Sequence, residues 1–293
     1  MNQSYDEILI SSAAELVDYS STPRLDAEIL LALALSIDRT TLHANLDQKI
    51  TSAEYDRFCV FLTRRKAFEP IAYIVGKKEF YGLDFLVNRS VLVPRPESEL
   101  IIEKSLRFLE NYNSDPLTVL DLGTGSGCLA VTLAVELKKR QRRVDILATD
   151  LSGDALDIAA ENALRHGVTE DIAFLESSWF SALDQNEDLF DLIISNPPYI
   201  SLKEQNLPRD LRHEPQEALF SGIDGLNDIE ELISKASSFL KTGGLFLCEI
   251  GESQKREIME LFLQINPQLN TPYKAITFYK DFAGRDRIMA LKV

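Results

Sequence analysis

The 293-residue chain predicts a doubly wound α/β domain with a seven-stranded, Rossmann-like sheet, preceded by a small helical domain and a β-hairpin linker. Three observations carry that expectation. From about residue 96 onward, short apolar runs alternate with amphipathic stretches, the pattern of parallel strands joined by crossover helices. Glycines cluster at Gly123, Gly125 and Gly127, where the first apolar run gives way to a helical stretch. The run Phe190–Ser195 ends abruptly at Asn196-Pro197-Pro198-Tyr199, because two consecutive prolines have no N–H to donate to a sheet and fix their own φ.

Residues 1–74 read as helices. Ser21-Thr22-Pro23 offers a cap followed by proline at the first helical position, and Ala27, Leu30, Leu31, Ala34 and Leu35 then repeat at helical spacing. Thr51-Ser52-Ala53-Glu54 has the pattern of a capping box, followed by a stripe of Tyr55, Phe58, Cys59 and Leu62. No catalytic group stands out there; recognition of a partner and a plain structural cap are both open. Residues 75–95 form the linker. Glu79 to Val87 mixes aromatic and branched residues around Gly82, as in a hairpin, and Val93-Pro94-Arg95-Pro96 is a stiff connector into a helix starting near Glu97.

Residues 96–293 hold the α/β domain. Strands are expected at 118–122, 144–149, 172–175, 189–195 and 245–250, and helices at 129–139, 154–166, 228–239 and 253–264. The stretches 275–279 and 287–292 would close one sheet edge as an antiparallel pair.

Composition narrows the function. Asp plus Glu number 46 against 31 Lys plus Arg, a formal charge of -15, which suits a non-specific grip on nucleic acid poorly. Cys59, Cys128 and Cys248 lie far apart in apolar contexts and read as small core residues of a reducing compartment. His43, His166 and His213 lack metal-ligand spacing, so no metal is expected. The longest apolar run, Ile29–Leu35, is too short to span a bilayer, and the amino terminus has no basic-then-apolar leader pattern. A cytoplasmic protein without membrane contact is expected.

Asn196 falls at the carboxyl end of its strand, where open α/β sheets place ligands. Its side-chain oxygen and the Pro197 carbonyl can each accept one hydrogen of a planar NH2 group, Pro198 keeps the turn rigid, and Tyr199 offers a flat face. An ordinary strand-ending turn would use the same Asn-Pro pair. Asp121-Leu122-Gly123-Thr124-Gly125-Ser126-Gly127 sits at the first strand-to-helix turn. A dinucleotide fingerprint would place its third glycine at residue 128, which is Cys128 here. That mismatch tells against a nicotinamide dehydrogenase and agrees with S-adenosyl-L-methionine, which has no pyrophosphate to cradle. Asp150 ends the second strand, where a carboxylate can accept both hydroxyls of a ribose. Trp179 follows the third strand and either stacks on an adenine ring or anchors the core. Asp121 could simply cap amides of its own loop. Together these elements point to a methyltransferase acting on an amino or amide nitrogen.

The sequence resembles the peptide chain release factor glutamine methyltransferases of bacteria and organelles over nearly its whole length. The likeness rests on Pro70-Ile71-Ala72-Tyr73-Ile74, Gly76, Glu79-Phe80-Tyr81-Gly82 and Val93-Pro94-Arg95-Pro96-Glu97. It continues through residues 121–128, Ala148-Thr149-Asp150, Ser195 to Ile200, Glu214-Pro215, Asp224-Gly225-Leu226, Gly243-Gly244 and Glu249-Ile250-Gly251. The Asn-Pro-Pro-Tyr loop alone is shared with adenine and cytosine amino-methyltransferases. The family usually has threonine where this chain has Ser98, and commonly aspartate where it has Ser178.

The resemblance implies that the substrate is the glutamine of the Gly-Gly-Gln loop of class I release factors. It implies that Gly123, Thr124, Gly125, Ser126, Gly127, Asp150, Trp179 and Asn196 bind S-adenosyl-L-methionine, with S-adenosyl-L-homocysteine as product. Asn196, Pro197, Pro198 and Tyr199 would hold the glutamine amide, with Asn196, Pro197 and Tyr199 as the catalytic group. The helical domain would recognise the partner, and a monomer is expected. An adenine amino-methyltransferase on DNA or RNA shares the site chemistry; a non-catalytic adaptor would have little use for an intact donor loop.

Overall fold

The computed structural model describes residues 3–110, 112–187 and 189–293. The chain divides into two compact units, one made of residues up to Lys77 with Leu207–His213, the other of Lys78–Asn206 with Glu214–Val293.

The first unit contains α1 (Tyr5–Glu15), α2 (Pro23–Leu35), α3 (Arg39–Ala44), α4 (Ser52–Lys66) and α5 (Ile71–Val75). Their apolar stripes meet in a core that includes Ile8, Leu9, Leu30, Leu31, Leu42 and Phe58. At the start of α4, Thr51 Oγ1 accepts from the Glu54 N–H and Glu54 Oε2 accepts from the Thr51 N–H, the reciprocal capping expected there. Ser4 and Glu7 open α1 in the same way, a helix the sequence reading did not delineate. The cap at Thr22 differs from expectation. With ψ at 57° its hydroxyl does not reach the helix amides and donates instead to Asp26 at 3.1 Å. Asp26 in turn forms a buried ion pair with Arg65 at 2.7 Å. The segment Leu207–His213 joins this unit through His213, whose Nε2 donates to the Ala67 carbonyl at 2.9 Å, and through Arg209, which lies over the Phe68 ring.

A hairpin of β1 (Lys77–Phe80) and β2 (Leu83–Leu86) follows, belonging to the second unit from Lys78 onward. Tyr81 and Gly82 both take positive φ, 52° and 77°, as a two-residue turn of matching twist requires. A 3₁₀ turn at Pro96–Ser98 precedes α6 (Glu99–Leu109), so the α-helix starts two residues later than expected. Then come β3 (Leu117–Leu122), α7 (Cys128–Lys139), β4 (Val144–Asp150), α8 (Gly153–Arg165), β5 (Ile172–Glu176) and β6 (Phe190–Ser195). The chain finishes with α9 (Asn227–Ala236), β7 (Leu240–Glu249), α10 (Lys255–Ile265), β8 (Ala275–Lys280) and β9 (Asp286–Lys292).

The seven strands lie in the order β5-β4-β3-β6-β7-β9-β8. All neighbouring pairs from β5 to β7 are parallel, and β9 runs antiparallel to both β7 and β8. Strand order reverses between β3 and β6, which makes the carboxyl ends of those two strands the switch point of the sheet.

Alternation along each strand divides the apolar residues between two faces. Val119, Leu192, Ile194 and Leu247 join a core with α6 and α7, whereas Leu120, Leu122, Ile193 and Phe246 join one with α9 and α10. Phe80 and Phe85 of the hairpin bury into the first core. Asn162 of α8, fully buried, donates to the Leu86 and Ser126 carbonyls and accepts from the Leu86 N–H, so one side chain ties the hairpin to the glycine loop.

β7 starts five residues before the expected strand. Its register against β6 shifts between Phe190 and Leu192, and Gly243 carries φ +84°. A Cβ on Gly244 would stand 2.8 Å from the Lys241 carbonyl oxygen, so glycine permits this irregularity where a polar Lys-Thr-Gly-Gly sequence had suggested a loop. Of the three cysteines, Cys248 is fully inside and Cys128 packs against the first core, whereas Cys59 is half-buried.

Phe246→Ala removes a fully buried ring at the centre of the sheet. The expected cost is about 3–5 kcal/mol, read as a lower midpoint with an unchanged slope in urea unfolding.

Candidate active site

A cavity of about 830 Å³ opens at the switch point. Its wall includes Gly123, Thr124, Gly125, Ser126, Asp150, Trp179, Asn196 and Pro198. Eight of the residues singled out by sequence thus share one cavity; Gly127, Pro197 and Tyr199 are not part of its wall.

The glycine loop is held by the end of β4. The N–H groups of Gly123 and Thr124 both donate to the Thr149 carbonyl, at 2.9 and 2.8 Å, and the Gly125 N–H donates to Asp150 at 2.8 Å. Asp150 accepts from the Ser152 N–H through its other oxygen at 3.0 Å. Burial raises the Asp150 carboxyl above its ordinary range, and these backbone donors partly offset that rise. Gly127, with φ +78°, begins α7. A Cβ there would stand 3.0 Å from that of Ala159, so this glycine serves the close approach of α7 and α8.

Trp179 adopts φ +49° in the loop after β5, and its indole N–H donates to Asp228 at 3.0 Å. The ring lies beside Gly123, where a Cβ would come within 3.3 Å of it. Ser178 is exposed on the cavity wall, and its N–H is taken by Ser181 Oγ.

Beneath the glycine loop lies Asp121, fully buried at the end of β3. One oxygen accepts from Thr124 Oγ1 at 2.6 Å and from the Ala130 N–H at 3.2 Å, and the other has no partner among the described residues. Burial pushes this carboxyl up to about 7, against the pull of those two donors. Burial, reinforced by Asp121, also pushes the Cys128 thiol up to about 12, so this cavity-lining cysteine stays protonated.

On the other side of the switch point, Asn196 Nδ2 donates to Ser98 Oγ at 3.0 Å, and Ser98 Oγ donates to Glu249 at 2.5 Å. The Tyr199 hydroxyl reaches the second oxygen of Glu249 at 3.4 Å. Burial raises the Tyr199 phenol, and the neighbouring Glu249 adds to that rise. Nearby, Glu214 is buried and accepts from Arg95 at 2.7 Å and from the Val93 N–H at 3.0 Å, which fixes the proline-rich connector at the cavity edge. Ser98, Asp228, Glu214 and Glu249 were given no role from sequence. A readable signal existed for Glu249 alone: a carboxylate inside the apolar run Leu245 to Ile250 must have buried partners. Among the described residues no cluster of His, Cys, Asp and Glu could hold a metal ion, and no helix is long and apolar enough to cross a membrane.

A Gly-rich turn, a strand-end acid and an Asn-Pro-Pro turn around one cavity at the switch point define a methyltransferase. A family model described as a methyltransferase domain matches residues 113–282, and one described as the PrmC N-terminal domain matches residues 7–76. The chain is 41% identical to the release factor glutamine methyltransferase of Nitratidesulfovibrio vulgaris, covering 91% of this chain and 87% of that one. It is 38% identical to the protein of the same name from Buchnera aphidicola, covering 95% and 96% of the two chains. It spans about half the length of rickettsial relatives called bifunctional methyltransferases. The solved hMettl16 catalytic domain, in complex with a MAT2A 3'UTR hairpin, shares the fold with a TM-score of 0.55 at 15% identity over 84% of this chain and 85% of that one. The chain belongs to the release factor glutamine methyltransferase family.

Asp121 carries a consequence for stability. Its folded value lies above the ordinary value of 3.8, so the folded state holds the proton more tightly than the unfolded one. The stability it contributes is full below about pH 4 and is lost as pH rises to about 7. Asp121→Asn keeps the shape and removes that loss. The variant is expected to gain about 2–4 kcal/mol relative to the parent between about pH 4.5 and pH 8 in urea unfolding. A stability difference that does not change with pH would show that Asp121 ionises normally.

Proposed function

We propose that this protein transfers a methyl group from S-adenosyl-L-methionine to the side-chain amide nitrogen of the glutamine in the Gly-Gly-Gln loop of class I release factors, leaving S-adenosyl-L-homocysteine. The observation that carries this reading is the single cavity joining the glycine loop, Asp150 and Trp179 to Asn196. Family membership supplies the substrate class. The net charge of -15 favours a protein partner over a nucleic-acid backbone. The helical unit is assigned to recognition of the release factor, and the enzyme to the cytoplasm as a monomer.

The residues fit the donor. Space beside Trp179 is kept open by the missing side chain of Gly123, which leaves the indole face for an adenine ring. Asp150, held in place by the Gly125 and Ser152 N–H groups, lies on the cavity wall as an acceptor for the hydroxyls of a ribose diol. The Gly123–Gly127 loop lets backbone approach the remainder. When bound, the donor supplies a sulfonium-activated methyl group.

The protein then has to present a poor nucleophile. An amide nitrogen shares its lone pair with its carbonyl, so orientation matters more than activation. Asn196 Oδ1 makes no hydrogen bond among the described residues, and it accepts one N–H of the glutamine amide; the Pro197 carbonyl accepts the other. Pro198 stiffens the turn, and Tyr199 is pinned through its hydroxyl. The proton leaves to water after transfer.

Asn196→Ala should lower kcat by about 100-fold or more, a far larger effect than its effect on donor affinity. Labelled donor is offered to the wild-type enzyme with a release factor, with a factor whose Gly-Gly-Gln glutamine is replaced, and with DNA and RNA. Label confined to the intact factor supports the reading. Label on nucleic acid, or near-normal turnover by the Asn196 variant, would overturn it.

A further inference from the structure

We propose that Ser98 and Glu249 are positioning residues that decide which atom of the Asn196 side chain faces the substrate. The inference rests on the functional reading above only for the identity of that substrate.

The placement of hydrogens decides the orientation of this amide. Asn196 borders the cavity, and one end of its amide meets Ser98 Oγ at 3.0 Å. A serine hydroxyl has a single hydrogen, and whichever neighbour receives it fixes the role of the other. Ionised Glu249 can only accept, so it takes the Ser98 hydrogen, and Ser98 must then accept from Asn196. The amide NH2 is thereby turned inward and Oδ1 outward, the acceptor needed to hold a substrate N–H.

Protonated Glu249 reverses the chain. It can donate to Ser98, whose hydrogen is then free to point at Asn196. The amide flips, NH2 faces the cavity, and two donors confront each other where substrate should bind. The direction of a buried three-member chain thus controls the polarity of a residue that borders the cavity.

The surroundings place this reversal in an accessible range. Glu249 is fully buried, and burial pushes its carboxyl up to about 7. Ser98 and Tyr199 donate to it, Arg287 of β9 favours its ionised form, and Glu97 beside Ser98 opposes it. Cys248 adjoins it and stays a thiol, its own value raised by burial. The same carboxylate holds both ends of the Asn-Pro-Pro-Tyr turn, Asn196 through Ser98 and Tyr199 directly.

Two measurements test this. In the donor-free enzyme, the Asn196 side-chain NH2 resonances, assigned by their loss in Asn196→Asp, should shift between about pH 6 and pH 8 with one midpoint near neutrality. The shift should vanish in Glu249→Gln. Resonances that stay fixed in the wild type, or move identically in Glu249→Gln, would overturn the inference whatever the substrate is.

In the second measurement, kcat for release factor methylation should rise through the same pH interval in the wild type. Ser98→Ala should lose on the order of 30-fold in kcat and lose the pH dependence, with donor KM changed by less than about threefold; Ser98→Thr should recover most of both. Equal activity of Ser98→Ala and wild type, or equal impairment of the alanine and threonine variants, would count against it. If Ser98→Ala does not fold, Glu249→Gln carries the kinetic test, with a profile flat in pH expected and the wild-type pH dependence overturning. A wild type that methylates no release factor would overturn the functional reading, while the resonance shift would still judge the orientation claim.

Discussion

Parallel pairing of β3 with β6 is the constraint on which the site depends. The register sets Asp121 beside Ile194 and Leu122 beside Ser195, so the two strands end at the same level. The glycine loop and the Asn-Pro-Pro turn, far apart in sequence, therefore leave the sheet side by side. Parallel strands buried on both faces need near-continuous apolar sequence, which both strands have. A one-residue slip of β6 would exchange the two cores to which Leu192, Ile193 and Ile194 belong. Packing on both faces thus fixes the depth at which Asn196 emerges, and with it the distance from any ligand held by the glycine loop to any group held by Asn196.

Features set by local chemistry were legible in the sequence. The Thr51 capping box, the Tyr81-Gly82 turn and the antiparallel pair β8–β9 each depend on residues close together in the chain. The same holds for the glycine loop and the Asn-Pro-Pro stop, whose residue types restrict the backbone where they stand. Where local and tertiary preferences compete, the sequence misleads. Thr22 looks like a cap, yet its hydroxyl serves Asp26, which is held by Arg65 from another helix. Residues 240–244 look like a loop because they are polar and Gly-rich, yet pairing with Phe190 draws Leu240 into the strand.

The unread part of the site has one physical cause. Ser98 and Glu249 are separated by 151 positions and Arg95 and Glu214 by 119, so each residue's role is set by a partner that no window of sequence contains. Trp179 shows the intermediate case. Its residue type suggested a stacking platform, while its hydrogen bond to Asp228, which fixes the ring, joins the loop after β5 to the first turn of α9, a pairing made only in the folded chain.

Two fully buried carboxylates, Asp121 and Glu249, flank the switch point, one under each loop. A buried carboxylate with few partners opposes folding at neutral pH, so neither is explained by stability. Each instead holds backbone or side chains at the mouth of the cavity. Asp121 binds Thr124 and the first turn of α7, and Glu249 binds Ser98 and Tyr199. An amide substrate gives an enzyme little reactivity to exploit, which makes accurate placement of acceptors the main resource for catalysis. Rigid acceptors require polar supports beneath them, and at the carboxyl end of a parallel sheet those supports are necessarily buried. The stability given up at Asp121 and Glu249 is the physical counterpart of fixing two loops against one another.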